Sequence, residues 1–367
     1  MAFVFAGGGT GGHVVPALAV AREMNRRGDR VLFIGTREGI EAKLVPEAGF
    51  SLELIEIGGL QRVGASKFVR SLWQLPRAVW HSMRILDRAG ARAVFSMGGF
   101  VAGPVVLAAV WRRIPVVAME PNAIPGFVNR AMGRFLERVL TAMPGTESHF
   151  PEDRCELTGV PVREAFFAVP PPAGPFTVLI TGGSQGSRTL NRAFRESWPI
   201  FQARGPLVRF LHQAGPREAE SLARDYAATG LAGEVTAFIP DMPAAFADAH
   251  LIVGRAGANA VAELTAAGRP SILVPFPFAA DDHQTANAAA MERAGAAIRI
   301  RDAELTGERF HAAIETLAAD PVRRDAMASA AKSLARPGAA ARAAELLREA
   351  AKTVPFQVDT ARESRNN

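Results

Sequence analysis

The stretch Ala2-Phe3-Val4-Phe5-Ala6-Gly7-Gly8-Gly9-Thr10-Gly11-Gly12-His13-Val14-Val15-Pro16-Ala17-Leu18 decides the fold. Its apolar opening reads as a buried strand, and the residues from Val14 onward read as a helix. Five of the six positions 7–12 between them are glycine. Glycines at a strand-to-helix turn let backbone N–H groups approach a phosphate, and the helix N-terminus favours negative charge. A second such unit lies halfway along, where Val178-Leu179-Ile180 runs into Thr181-Gly182-Gly183-Ser184-Gln185-Gly186-Ser187. Two turns of this kind predict two nucleotide-type α/β domains facing one ligand.

Length and composition agree with that reading. A chain of 367 residues is long for one core, so two domains are expected. With 49% hydrophobic and 21% charged residues it reads as an ordered globular protein. A formal net charge of +6 favours an anionic partner. A single tyrosine and no aromatic-basic signature argue against nucleic acid as that partner. The lone cysteine, Cys155, can make no internal disulfide and no cysteine metal site; it reads as a packing residue in a reducing, cytosolic compartment. The histidines lack His-x-x-x-His spacing, so no metal is expected. No secretory signal is expected, because the glycine turn begins where its apolar core would lie. The longest apolar run, around 102–111, is far short of a membrane span.

Strand candidates in the first half are 2–6, 31–35, 93–96, 116–119 and 139–142, with helical stretches between them, as parallel βαβ units require. A break comes near Leu157-Thr158-Gly159-Val160-Pro161-Val162-Arg163, followed by the proline-rich 169–175. The second half offers strands at 177–181, 208–212, 235–238, 251–253, 271–274 and 297–300. A last amphipathic helix is expected at about 338–352, and a polar, disordered tail at 354–367.

Gly7, Gly9 and Gly12 satisfy the dinucleotide fingerprint, but the second strand runs into Thr36-Arg37 without the acidic ribose ligand, and Glu38 comes late. A P-loop is excluded because His13 stands where its lysine should be. Further turns follow strands at Ser96-Met97-Gly98-Gly99-Phe100 and at Glu120-Pro121-Asn122-Ala123-Ile124-Pro125-Gly126. In Gly254-Arg255-Ala256-Gly257-Ala258-Asn259-Ala260-Val261-Ala262-Glu263, Gly257–Asn259 would open a helix whose free N–H groups can hold a diphosphate. Glu263, one turn deeper, can accept from two ribose hydroxyls. Gln284 and Asn287, three apart on another helix start, present amides one way, suited to sugar hydroxyls or to capping.

Taken in order, GGGTGGHVVPALAVA, SMGGFVAGP, EPNAIPG, GVPVR, TGGSQGS, GRAGANAVAEL and PFPFAADDHQTANA resemble the bacterial MurG family of UDP-N-acetylglucosamine:N-acetylmuramyl-(pentapeptide) pyrophosphoryl-undecaprenol N-acetylglucosaminyltransferases, in glycosyltransferase family 28. The resemblance spans residue 3 to about 290. It implies a GT-B fold, two Rossmann-like doubly wound domains facing a central cleft. Residues 1–158 would be the acceptor domain, joined by the returning helix 338–352, and 159–337 the UDP-GlcNAc domain. The implied reaction is the inverting, metal-independent transfer of GlcNAc from UDP-GlcNAc to the 4-hydroxyl of the muramyl sugar of lipid I, giving lipid II. No cofactor is implied. A UDP-GlcNAc 2-epimerase of the same fold is the alternative.

Carried over residue by residue, the donor site comprises Thr10, Gly11, Gly12, Asn122, Arg163, Ser184, Ile239, Ala258, Asn259, Ala260, Val261, Ala262, Glu263 and Gln284, with Asn287 a second sugar contact. Ile239 would meet the uracil through its backbone. Two departures stand out: Met119-Glu120-Pro121-Asn122 replaces the family's common His-Glu-Gln-Asn, and Ala260 stands where threonine is usual. His13 is the first choice as base, since a helix N-terminus keeps an imidazole neutral. Glu120 is the rival base. The stretch from Phe68 carries Leu72, Leu75, Val79, Met83 and Leu86 at core spacing, and beside them Trp73 and Trp80 with Arg77 and Arg84. Tryptophan with arginine suits an anionic bilayer interface. The expected partners are UDP-GlcNAc, lipid I, an anionic membrane surface and cell-wall synthesis proteins. The expected location is peripheral, at the cytoplasmic face of the plasma (inner) membrane.

Overall fold

The computed structural model describes residues 1–58, 65–204 and 208–353, the side chains of 65–72 and 204 excepted. The expected tail 354–367 lies outside the described residues. Seven parallel strands make the first sheet: β1 (Ala2–Ala6), β2 (Arg30–Gly35), β3 (Ser51–Leu54), β4 (Ala91–Ser96), β5 (Val116–Glu120), β6 (Arg138–Thr141) and β7 (Cys155–Leu157). Six make the second: β8 (Thr177–Thr181), β9 (Arg209–Gln213), β10 (Gly233–Thr236), β11 (Leu251–Gly254), β12 (Ser271–Leu273) and β13 (Ala297–Arg299). Their orders, β3-β2-β1-β4-β5-β6-β7 and β10-β9-β8-β11-β12-β13, each reverse beside the first strand of the unit.

The helices α1 (Gly11–Arg26), α2 (Glu41–Glu47), α3 (Ala65–Ala89), α4 (Gly99–Trp111) and α5 (Phe127–Met132) belong to the first unit. The second carries α6 (Arg188–Arg204), α7 (Ala219–Ala227), α8 (Met242–Asp248), α9 (Ala258–Ala267), α10 (His283–Arg293), α11 (Gly307–Ala318) and α12 (Pro321–Ser333). The period of two along β1 explains why both faces are covered. Phe3 and Phe5 enter one apolar cluster with α1, while Val4 and Ala6 enter another with α4. The last helix, α13 (Ala339–Lys352), returns to the first sheet. Its Ala343, Leu346, Leu347, Ala350 and Ala351, at helical spacing, fill the Phe3 and Phe5 face. The chain therefore crosses between the units twice. The crossings touch at Gly159 (φ +79°), where a Cβ would lie 2.5 Å from that of Arg336.

The strands β3 and β7 are missing from the sequence reading. Both are edge strands of four and three residues, half-exposed and without an apolar run, so pairing with a neighbour makes them strands.

Candidate functional site

Both reversals of strand order open a crevice at the carboxyl ends of the strands, where doubly wound sheets bind ligands. In the first unit the turns after β1 and β4 meet there. A Cβ on Gly7 would sit 2.8 Å from that of Met97, and one on Gly99 (φ +76°) 3.0 Å from His13 Cε1. Glycine is what lets these two turns touch. Thr10 is the exposed N-cap of α1 and makes no side-chain cap bond, so the Gly11 and Gly12 N–H groups stay open to the cleft.

His13 lies on the first turn of α1, half-buried, with Nδ1 3.2 Å from the Gly8 carbonyl oxygen. A carbonyl only accepts, so Nδ1 carries the proton and Nε2 is left bare. Burial holds the imidazole below its usual pKa. The Gly8 hydrogen bond opposes that, His283 reinforces it, and Glu41 opposes it. Glu41 is a residue the sequence reading does not single out. It lies under the glycine turn, 1% exposed, and accepts from Gly9 N at 2.8 Å and from Thr36 N and Oγ1 at 2.9 and 2.8 Å. Its only sequence signal is the pair of glycines, Gly35 and Gly39, that precede it.

Glu120 is placed differently from the expected base. It is 1% exposed and accepts from Asn122 N and Nδ2, Gly126 N and Asn129 Nδ2 at 2.9–3.3 Å. Burial raises its pKa, and those four donors work against the rise. A carboxylate saturated by its own loop organises that loop and has no face for a substrate hydroxyl.

In the second unit α9 begins behind Gly257, which supplies no side-chain cap, so the N–H groups of Ala258, Asn259 and Ala260 are open. Asn259 Nδ2 reaches across to the Gly11 carbonyl oxygen at 3.4 Å, which sets α9 against the glycine turn of the first unit. Glu263 is half-buried, and desolvation pushes its carboxyl up to about 7, with Arg163 pulling the other way. Arg163 is exposed and stacks on Phe166 with its guanidinium 5.0 Å from the ring. Ser184 is exposed on the turn after β8. Gln213, absent from the sequence reading, ties that turn to the next loop. It donates to the Gly183 carbonyl at 2.9 Å and accepts from Ile239 N at 2.9 Å.

Four donor-site expectations change. The Ile239 N–H is taken by Gln213, and among the described residues no backbone donor meets the Ile239 carbonyl. Val261 is 1% exposed, belongs to the apolar core, and its N–H bonds the Gly257 carbonyl. Ala262 lines a small cavity at the seam between the units with Pro121, Met143 and Arg336. Asn287 is fully buried and its amide is spent. Oδ1 accepts from Ala123 N at 2.8 Å, and Nδ2 donates to Asn122 Oδ1 at 3.1 Å and the Ala256 carbonyl at 3.0 Å. It is a clasp between the units. Gln284 turns to the other backbone group of Ala256, accepting from Ala256 N at 3.2 Å and Phe276 N at 3.0 Å. No hydrogen bond engages its Nε2 among the described residues.

On α3, Trp73 and Trp80 are 79% and 54% exposed, and Arg84 lies 4.3 Å over the Trp80 ring. Arg77, Trp80, His81, Arg84 and Arg88 line one open surface hollow. Leu75, Val79 and Met83 are half-buried and Leu86 fully buried; the Leu72 side chain lies outside the described residues. No helix among the described residues is long and apolar enough to cross a membrane.

Comparison with known proteins adds to this geometry. The glycosyltransferase family 28 N-terminal domain matches residues 3–141 and the C-terminal domain of that family residues 177–343. A UDP-N-acetylglucosamine--N-acetylmuramyl-(pentapeptide) pyrophosphoryl-undecaprenol N-acetylglucosamine transferase of Solibacter usitatus is 55% identical over 95% of this chain and 96% of its own. One of the same name from Myxococcus xanthus is 40% identical over 94% and 92%. Among solved structures, MurG of Acinetobacter baumannii superposes with a TM-score of 0.81 at 32% identity, covering 95% of this chain and 99% of that one. A putative UDP-N-acetylglucosamine 2-epimerase from Listeria monocytogenes, covering 96% of this chain and 97% of its own, shares the fold alone, with a TM-score of 0.68 at 11% identity.

Proposed function

Because this chain belongs to the MurG family of glycosyltransferase family 28, we infer that it transfers N-acetylglucosamine from UDP-N-acetylglucosamine to lipid I, giving lipid II. The observation that carries the assignment of roles is the opposition of two helix starts across one cleft. His13 stands on one and the open N–H groups of Ala258–Ala260 on the other, bridged by Asn259 and Gly11.

Residues 1–158 with α13 serve the acceptor, and 159–337 hold the donor. Glu263 receives the ribose hydroxyls, the Ile239 carbonyl the uracil, and the Gln284 Nε2 the sugar. The diphosphate rests on the α9 N-terminus, with Arg163, Ser184 and the Gly11 and Gly12 N–H groups around it. Ala260 contributes through its N–H, so the missing threonine hydroxyl is not required. In the transfer, the 4-hydroxyl oxygen of the muramyl sugar attacks C1 of GlcNAc while its proton passes to His13 Nε2. The C1–O bond to UDP breaks on the opposite face, which inverts C1. The charge that develops on UDP meets the α9 dipole and Arg163, so the reaction needs no divalent ion. Trp73 and Trp80 with Arg77 and Arg84 seat the enzyme on an anionic bilayer, at the cytoplasmic face, where the lipid-linked acceptor is found.

The test is UDP release from UDP-GlcNAc with and without a lipid I analogue. Acceptor-dependent release that collapses in His13→Gln supports the reading. UDP-ManNAc formation without acceptor would overturn the reaction, and wild-type kcat in His13→Gln would overturn the base.

A further inference from the structure

We propose that Glu41 is a positioning residue for the transfer: it locks the glycine turn and, through the Gly8–Gly9 peptide, holds His13 with Nε2 open and its imidazolium stabilised. The proposal rests on the reading of His13 as the base. Three glycines surround this one carboxylate, Gly35 and Gly39 just before it in the chain and Gly8 from the turn after β1. A Cβ on Gly8, Gly35 or Gly39 would lie within 2.1–2.5 Å of Glu41 atoms, so each position must lack a side chain for the group to fit. The space so made is filled by a carboxylate that meets three donors and, among the described residues, makes no salt bridge. Burying a carboxylate is costly unless hydrogen bonds compensate it, and here the donors that do so come from the glycine turn and from Thr36.

The connection to His13 is one peptide long. Glu41 Oε2 accepts from Gly9 N, and the carbonyl of the same peptide unit, that of Gly8, receives His13 Nδ1–H at 3.2 Å. Pulling on the N–H of a peptide polarises its carbonyl, which strengthens the hold on the imidazole. The tautomer that leaves Nε2 bare is therefore fixed from beneath. When Nε2 takes the proton of the acceptor hydroxyl, the positive ring faces a negative charge across that peptide. Glu41 acts on the ring through the Gly8–Gly9 peptide and exchanges no proton with it. The titratable groups that act on His13 through space are Glu41, from α2, and His283, at the start of α10, and they act in opposite directions.

The experiment titrates the ligand-free full chain by NMR, with histidine labelled at Cε1. Glu41→Gln is expected to lower the His13 pKa by on the order of half a unit. The acid limb of kcat/KM should move with it. Thr36→Val removes one donor to the carboxylate and keeps the charge, and is expected to leave the His13 titration in place. A double-mutant cycle completes the test: Glu41→Gln added to His13→Gln should cost no further activity. An unmoved His13 titration in folded Glu41→Gln, an equal shift in Thr36→Val, or an additive cycle would each overturn the proposal. If Glu41→Gln does not fold, Glu41→Asp withdraws the charge from Gly9 N, and wild-type kcat with a wild-type His13 titration would then overturn it. Wild-type kcat in His13→Gln alone would overturn the base assignment, while the titration still decides whether Glu41 tunes the ring.

Discussion

Replacing Asn287 with alanine should open the cleft. The side chain makes two hydrogen bonds across the seam, from Ala123 N at 2.8 Å and to Asn122 Oδ1 at 3.1 Å. Each is expected to contribute about 0.5–1.5 kcal/mol net, so together they favour the closed arrangement by about 1–3 kcal/mol. At about 1.4 kcal/mol per factor of ten, that changes the ratio of closed to open molecules about 5- to 150-fold. A donor gripped by both units binds the closed form, so its apparent affinity falls with the closed fraction. Small-angle scattering of ligand-free Asn287→Ala should show a larger radius of gyration, and calorimetry should show weaker UDP binding. Asn287→Asp keeps the acceptor for Ala123 but puts a second acceptor against Asn122 Oδ1 and the Ala256 carbonyl, so it should open at least as far. Wild-type scattering and UDP affinity in both variants would refute the clasp. A wild-type Asn287→Asp alone would refute the orientation of the amide.

Glu263 titrates near 7 in the fold against 4.5 for an ordinary glutamate, so between those values the folded protein holds a proton the unfolded chain has lost. The stability owed to this group is present at low pH and is lost as pH rises through 7. Glu263→Gln should therefore raise the melting temperature of the ligand-free protein at pH 8, leave it unchanged at pH 4, and weaken UDP-GlcNAc binding. Glu120→Gln turns an amide N–H2 toward loop donors and should lower the melting temperature by several degrees, about 1–3 kcal/mol of stability. A wild-type melting curve with lost turnover would return Glu120 to the chemistry. Trp73→Ser with Trp80→Ser should reduce binding to anionic vesicles several-fold, and added salt should weaken what remains. Unchanged partitioning in a flotation assay would remove α3 from the membrane contact.

The glycine turns, the parallel strands and the two-unit organisation are legible in the chain because local rules govern them. A fully buried strand must be apolar, a turn with positive φ favours glycine, and a helix start follows at once. The edge strands β3 and β7 are not legible, because their pairing comes from neighbours rather than from their own residues. The same divide runs through the site. His13, Gly257–Ala260 and Glu263 are singled out by motif, since each is defined by its place on a helix that follows a glycine turn. The amide of Asn287 is spent on partners up to 165 residues away, which no spacing in the sequence reveals, and Glu120 is spent on donors within nine residues that only the folded loop turns toward it. Carboxamides and carboxylates look alike in a motif whether they are free for a ligand or consumed by the fold. Sequence alone therefore determined where the backbone could cradle a diphosphate. Only the tertiary structure decided which polar side chains remain unspent beside it, and it placed a buried Glu41 beneath the turn that carries His13, because hydrogen bonds are assigned by distance in space.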